Sequence, residues 1–159
     1  MVKSKKAIIL MLILAATAVT LFNGEVFWNK ERISAYAQGR GVGEEQLLAR
    51  AINGEARGEP YLGQVAVGAV IINRTRDPRF PKTIAGVIYQ PGAFTAVSDG
   101  QINVPVDPNS SVEKAARDAL NGFDPTDGCV YYWNPATATS PWIWSRQIVK
   151  QIGKHYFGK

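Results

Sequence analysis

A chain of 159 residues predicts one domain, long enough to bury a sizeable core. The formal charge of +5 is uneven: residues 1–40 hold six Lys/Arg and two Glu, and residues 41–159 hold twelve Lys/Arg and eleven Asp/Glu. The near-neutral remainder argues against a surface for duplex nucleic acid, and a single cysteine (Cys129) and a single histidine (His155) leave no internal disulfide and no zinc site, so no metal or cofactor is implied.

The chain opens with Lys3, Lys5 and Lys6 before "AIILMLILAATAVTLF", residues 7–22, which carry no charge. A positive start followed by an apolar run reads as an export signal. The run is near the length of a membrane span, about 20 residues, and residues 1–24 are taken as a signal peptide or membrane anchor. "AYA" at 35–37 has the small-x-small form of a cleavage site but lies unusually far downstream. Residues 25–43 are polar and glycine-containing, a linker, and the domain is expected at 44–159.

Helical periodicity begins near Glu44 and runs to about 57. Tyr61 to Arg74 forms a second helix with almost no polar face, the mark of a central, buried one. "TIAGVIYQ" reads as a short helix, and "GAFTAVSDG" as a strand leading into a turn. "SSVEKAARDALNG" has serine near its start and Gly122 as a stop, a third long helix. "CVYYWN" reads as a strand, and the tail "WIWSRQIVKQIGKHYF" suits strand or helix. Helices with a small sheet give the α+β class.

Within "RAINGEARGEP" the helical count places Glu55 on the same face as Leu47, Leu48, Ala51 and Ile52. A carboxylate directed toward a core is unfavourable unless something requires it. One reaction that does is glycosidic cleavage, where a carboxylic acid in a partly apolar cleft keeps its proton near neutrality and gives it to the leaving oxygen. Gly54 beside it leaves room for a substrate. The plainer alternative makes Glu55 a helix-end group bonded to Arg57 or a backbone amide. A partner carboxylate has two candidates. Glu59 follows a helix break at Gly58 and precedes Pro60, expected in the first turn of the next helix. Asp99 sits in a turn-forming "SDG", where local hydrogen bonding alone accounts for it. "YYWNPATATSPWIW" gathers two tyrosines and three tryptophans around small polar residues. Such rings suit stacking on sugars, although at least half are expected to fill the core. His155 is read as a partly exposed tail residue.

From about residue 45 onward the sequence resembles the spore cortex-lytic and cell-wall hydrolase family of the SleB/CwlJ type. The matching runs are "LLARAINGEARGEPYLGQVAVGAVIINR", "TIAGVIYQPGAFTAVSDG" and "YYWNPATATSPWIWSRQIVKQIGKHYF". The resemblance implies a lysozyme-like fold, mostly helical with a small antiparallel sheet, and attack on peptidoglycan between N-acetylmuramic acid and N-acetylglucosamine. It matches Glu55, in "NGEARGE", to the family's catalytic glutamate. It further implies a lytic transglycosylase, in which one carboxylate serves as acid and then base while the muramyl 6-hydroxyl closes a 1,6-anhydro ring. Longer members carry a separate peptidoglycan-binding module, for which the linker here is too short, so cortex and vegetative wall both stand as substrates. Phe94, Tyr132, Trp133, Asn134 and Trp142 are expected to line the cleft. The partners are then glycan strands and, through the leader, the membrane, without nucleic acid, and the chain is expected to be a monomer. A hydrolytic muramidase using Asp99 or Glu59, or a non-catalytic peptidoglycan binder, are the alternatives.

Overall fold

The computed structural model describes residues 41–159. The leader at 1–24 and the linker up to residue 40 lie outside the described residues. Among those described, no helix is long and apolar enough to cross a membrane.

Helix α1 (Gly41–Ala56) leads through a tight corner to α2 (Tyr61–Arg76). Pro60 stands just before α2 as its cap, one position earlier than the sequence suggests; its fixed φ suits the approach to a helix. From Gly63 to Ile72 every residue of α2 is buried, so this helix is the centre of the core. Leu48 and Ile52 of α1 pack there with Val65, Val67, Val70 and Ile71 of α2. Close approach has a visible cause at Gly68. A Cβ added to it would sit 3.0 Å from both the Ala119 Cβ and the Ile52 Cδ1, close enough that one of these neighbours would have to shift.

Helix α3 (Ile84–Ile88) begins at Thr83, whose hydroxyl accepts the Gly86 N–H at 3.0 Å. The segment "GAFTAVSDG" is not a strand. After an extended Phe94 it makes a single helical turn, α4 (Thr95–Ser98), which Ser98 closes by donating its hydroxyl to the Thr95 carbonyl. Gly100, at φ +82°, then redirects the chain into a 3-10 turn at Gln101–Asn103. Helix α5 (Ser111–Leu120) starts at Ser110, which caps the Glu113 N–H, and packs along α2.

The sheet is antiparallel, with β1 (Tyr131–Trp133) and β2 (Ile148–Ile152) on either side of β3 (His155–Gly158). The ambiguous tail is therefore a 3-10 turn (Pro141–Ser145) followed by the β2–β3 hairpin. Its two-residue turn puts glycine first, with Gly153 at φ +58°. Tyr132 stands opposite Phe157 and Trp133 opposite Tyr156, so alternation sends these neighbours to opposite faces of the sheet. A helix-rich domain with a three-stranded antiparallel sheet results, in agreement with the α+β expectation.

Candidate active site

Glu55 occupies the last turn of α1, half-buried, and both carboxylate oxygens have a donor. The backbone N–H of Ala96 donates to Oε1 at 3.0 Å. The hydroxyl of Tyr132 donates to Oε2, also at 3.0 Å. A carboxylate offers about four lone-pair sites, so each oxygen keeps one for a proton in transit. Three segments far apart in sequence thus meet on one side chain, and each is brought there for a local reason. The apolar face of α1 carries Glu55 inward. The single turn of α4 exposes an N–H that a strand would have given to a neighbour. Strand alternation turns Tyr132 toward the helices.

Gly54 makes the second of these possible. A Cβ at this position would overlap the Ala96 Cβ, so only glycine lets α4 settle on α1. The gap that the sequence suggested for substrate is filled by Ala96 instead.

The groups around this carboxylate are electrostatically distinct. Burial, and after it the charge and hydrogen bond of Glu55, push the Tyr132 phenol well above its usual 10.0. It therefore remains a donor at neutral and mildly alkaline pH. Tyr132 packs edge-on against His155 at 5.3 Å between ring centroids. His155 is buried, not a partly exposed tail residue, because β3 runs through the middle of the sheet. Burial lowers its pKa below 6.5 against the opposing fields of Glu59 and Glu55, which favours a neutral ring. Arg74, a buried cation of α2, donates from Nε to the Val130 carbonyl at 2.8 Å. Its guanidinium lies 5.1 Å from the Phe80 ring centre and 5.5 Å from that of Phe94. Burial lowers its pKa, while Tyr132, Tyr131 and Glu55 counter that shift, and a guanidinium stays charged.

A cleft of about 260 Å³ is lined by Arg74, Phe80, Gln90, Tyr131, Tyr132 and Trp142, among others; Glu55 is not one of its lining residues and meets it through Tyr132. Tyr132 thus belongs to the cleft and to the Glu55 hydrogen bonds at once.

The family model of Cell Wall Hydrolase matches residues 58–158. The chain belongs to this family. It is 60% identical over 114 residues to the "Spore cortex-lytic enzyme" of Bacillus cereus, covering 72% of this chain and 43% of that protein. To the protein of the same name from Bacillus subtilis it is 59% identical over 112 residues, covering 70% of this chain and 36% of that one. The chain thus spans less than half the length of these relatives. The catalytic domain of the germination-specific lytic transglycosylase SleB from Bacillus anthracis superposes with a TM-score of 0.71 at 56% identity, covering 76% of this chain and 98% of that one.

Membership in the family does not make every residue singled out in the sequence a cleft residue. Trp142 stands at the rim, 53% exposed, with its ring 5.6 Å from that of Tyr131. Phe94 is buried beneath the Arg74 guanidinium. Trp133 is buried on the face of β1 opposite Tyr132, edge-on to Trp144 and Tyr156. Asn134 accepts the Ala136 N–H on its side-chain oxygen at 2.9 Å and so shapes the turn after β1. None of Phe94, Trp133 and Asn134 is among the residues lining the cleft that Tyr132 shares.

Both candidate partner carboxylates hold backbone. Glu59 accepts the Lys154 N–H at 2.8 Å and fastens the β2–β3 turn to the corner between α1 and α2. Asp99 accepts the N–H of Gln101 at 3.0 Å and its side-chain amide at 2.9 Å. Gln101 in turn accepts from Arg57 at 3.1 Å, so Arg57 is engaged there and not with Glu55. Sequence reasoning passed over Arg74 and Ala96. An arginine near the end of an apolar helix was the available sign of the first; a backbone N–H has no sign in sequence.

Proposed function

We propose that this chain cleaves the bond between N-acetylmuramic acid and N-acetylglucosamine in peptidoglycan as a lytic transglycosylase, with Glu55 as acid and then base. The observation that carries the reading is the Glu55 carboxylate, held by Ala96 and by Tyr132, which also walls an aromatic cleft. The matched domain from Bacillus anthracis is that of a germination-specific lytic transglycosylase, and this activity supports the same chemistry here.

A protonated Glu55 gives its proton to the oxygen bridging the muramyl C1 and the glucosaminyl C4. The C1–O bond breaks, and positive charge develops at the muramyl C1 and ring oxygen. The muramyl 6-hydroxyl then bonds to C1, and its proton passes to the Glu55 carboxylate, which restores the acid. No water is consumed, so no second carboxylate is required. Fixed donors from Ala96 and Tyr132 favour the carboxylate that appears midway and hold it in place for the return step. Because the Tyr132 hydroxyl can also accept, it serves the carboxylic acid by reversing its hydrogen bond. Asp99 and Glu59 are committed to backbone amides, which weighs against the hydrolytic alternative.

In this reading residues 44–159 form the catalytic domain, residues 25–43 a linker, and residues 1–24 a signal or anchor that places a monomeric enzyme outside the cytoplasm. The substrate is spore cortex or vegetative wall. Glu55→Gln keeps the size and hydrogen bonding of the side chain while removing its acid–base function. Digestion of purified glycan followed by mass analysis is expected to give anhydro-muramyl ends, one water lighter than hydrolytic ends, from the parent protein and none from the variant. Reducing ends alone would reject the transglycosylase route; unchanged cleavage by the variant would reject Glu55.

A further inference from the structure

Near-neutrality of residues 41–159 conceals a local excess of positive charge at one side of the cleft. Three guanidiniums surround the ring of Tyr131: Arg74 and Arg79 each 5.9 Å from its centre, and Arg146 at 5.7 Å. Arg146 also lies 5.6 Å from the Trp142 ring. They come from the end of α2, the loop after it and the segment before β2, so no single element imposes the cluster. Lys82 joins them by donating to the Asp77 carbonyl at 2.7 Å.

Asp77 alone answers this charge by direct pairing, and it is engaged by Arg79 through both oxygens. Among the described residues Arg74 and Arg146 have no ion pair. The Arg146 Nε is buried and lacks a hydrogen-bond acceptor there. Aromatic faces offset part of the repulsion between the cations. They supply no acceptor for the remaining N–H groups. Guanidinium forks match the planar oxygens of a carboxylate, and aromatic walls keep them oriented while they wait.

We propose that Arg74, Arg79 and Arg146, arrayed around Tyr131 and Trp142, form a subsite for a carboxylate carried by the muramyl substituent of the bound glycan. The inference rests on the reading that this cleft takes peptidoglycan. Its position follows from the cleft: Arg74, Tyr131 and Trp142 line it together with Tyr132, the residue bonded to Glu55. A substituent of the sugar being cut is therefore within reach of the cluster. Two sources carry the same chemistry, the lactyl carboxylate of a bare muramyl residue and the free carboxylates of a peptide stem.

The test measures binding of full-length Glu55→Gln protein, so that turnover does not interfere, to three soluble glycan preparations. One keeps its peptide stems, one has its carboxylates converted to amides, and one has its stems removed by an amidase. At least one of the two carboxylate-bearing preparations, stem-bearing or stem-free, is expected to bind at least about tenfold more tightly than amidated chains, with the difference shrinking as salt is added. Arg146→Gln in this background should erase the difference while leaving affinity for amidated chains unchanged. Arg79→Gln, at an exposed position, gives the same readout if Arg146→Gln does not fold. Tight binding of stem-free chains assigns the lactyl carboxylate; weak binding assigns the stem. Equal affinity for charged and amidated chains overturns the subsite. Cleavage by the parent protein, followed in parallel, separates the two ideas: cleavage with no charge preference removes the subsite and leaves the enzymatic reading standing.

Discussion

At the scale of single residues, the proposed chemistry depends on what touches Glu55. The Tyr132 hydroxyl is the side-chain donor to that carboxylate, while its ring has separate work, packing on His155 and Phe157. Tyr132→Phe separates these roles. A hydrogen bond to a charged group contributes roughly 1.5–3 kcal/mol, so kcat on glycan chains should fall about 10- to 100-fold and Tm should fall with it as Glu55 loses a donor. An unchanged kcat would show that the hydroxyl does not act on Glu55. Sequence reached both members of this pair by different routes: Glu55 from an inward-facing helical position, Tyr132 from an excess of aromatic residues. It did not rank Tyr132 above Trp133, because one residue of strand register decides which ring meets the helices and which is buried behind them. Arg74 escaped because a cation at a helix end has ordinary reasons to be there.

Elements bring a second kind of dependence, visible in two glycines four residues apart. Gly54 is pressed by Ala96, whereas a Cβ at Gly58 would meet nothing within 4 Å. By helix propensity alone Gly54→Ala should stabilise by about 1 kcal/mol. Overpacking against α4 outweighs this at about 1–3 kcal/mol. Gly54→Ala is therefore expected to lower Tm and, by pushing the Ala96 N–H off Glu55, to lower kcat at least about tenfold; Gly58→Ala should leave both nearly unchanged. Melting curves and initial rates on the two proteins check the contrast. The same contact explains why residues 92–100 misled the sequence reading. Thr95 and Val97 favour a strand, but tertiary packing on Gly54 imposes a turn, and no local pattern reports a partner about 40 residues away. Where the signal was local, at the Thr83 and Ser110 caps and along the fully apolar α2, sequence located the helices closely.

For the molecule as a whole, buried titrating groups give stability a pH dependence of two signs. Glu113 on α5 is buried beside Glu45, and burial followed by that neighbour raises its carboxyl above the ordinary 4.5 despite Arg117. The folded state then binds the proton more tightly than the unfolded one, and stability from this group is lost as pH rises through the folded value. His155 has the opposite sign: lowered below 6.5, it stabilises above that value and loses its contribution as pH falls from there. Replacing Glu113 by Gln should raise Tm at about pH 7.5, with the gain shrinking as pH falls toward the ordinary 4.5 of the carboxyl. A uniform gain at all pH values would assign the effect to packing rather than ionisation. None of this was legible in composition, since a glutamate in a charged helix reads as a solvated residue until the helix is docked.

The order of the strands governs when the proposed site can be completed. β3 follows β1 and β2 in the chain yet lies between them, so neither has a sheet neighbour until residues 155–158 have been synthesised. Tyr132 takes its place opposite Phe157 only then, long after Glu55 has left the ribosome. A chain interrupted before β3 therefore carries Glu55 without the sheet that places Tyr132, and the proposed site is completed only when the last strand has paired rather than growing with chain length.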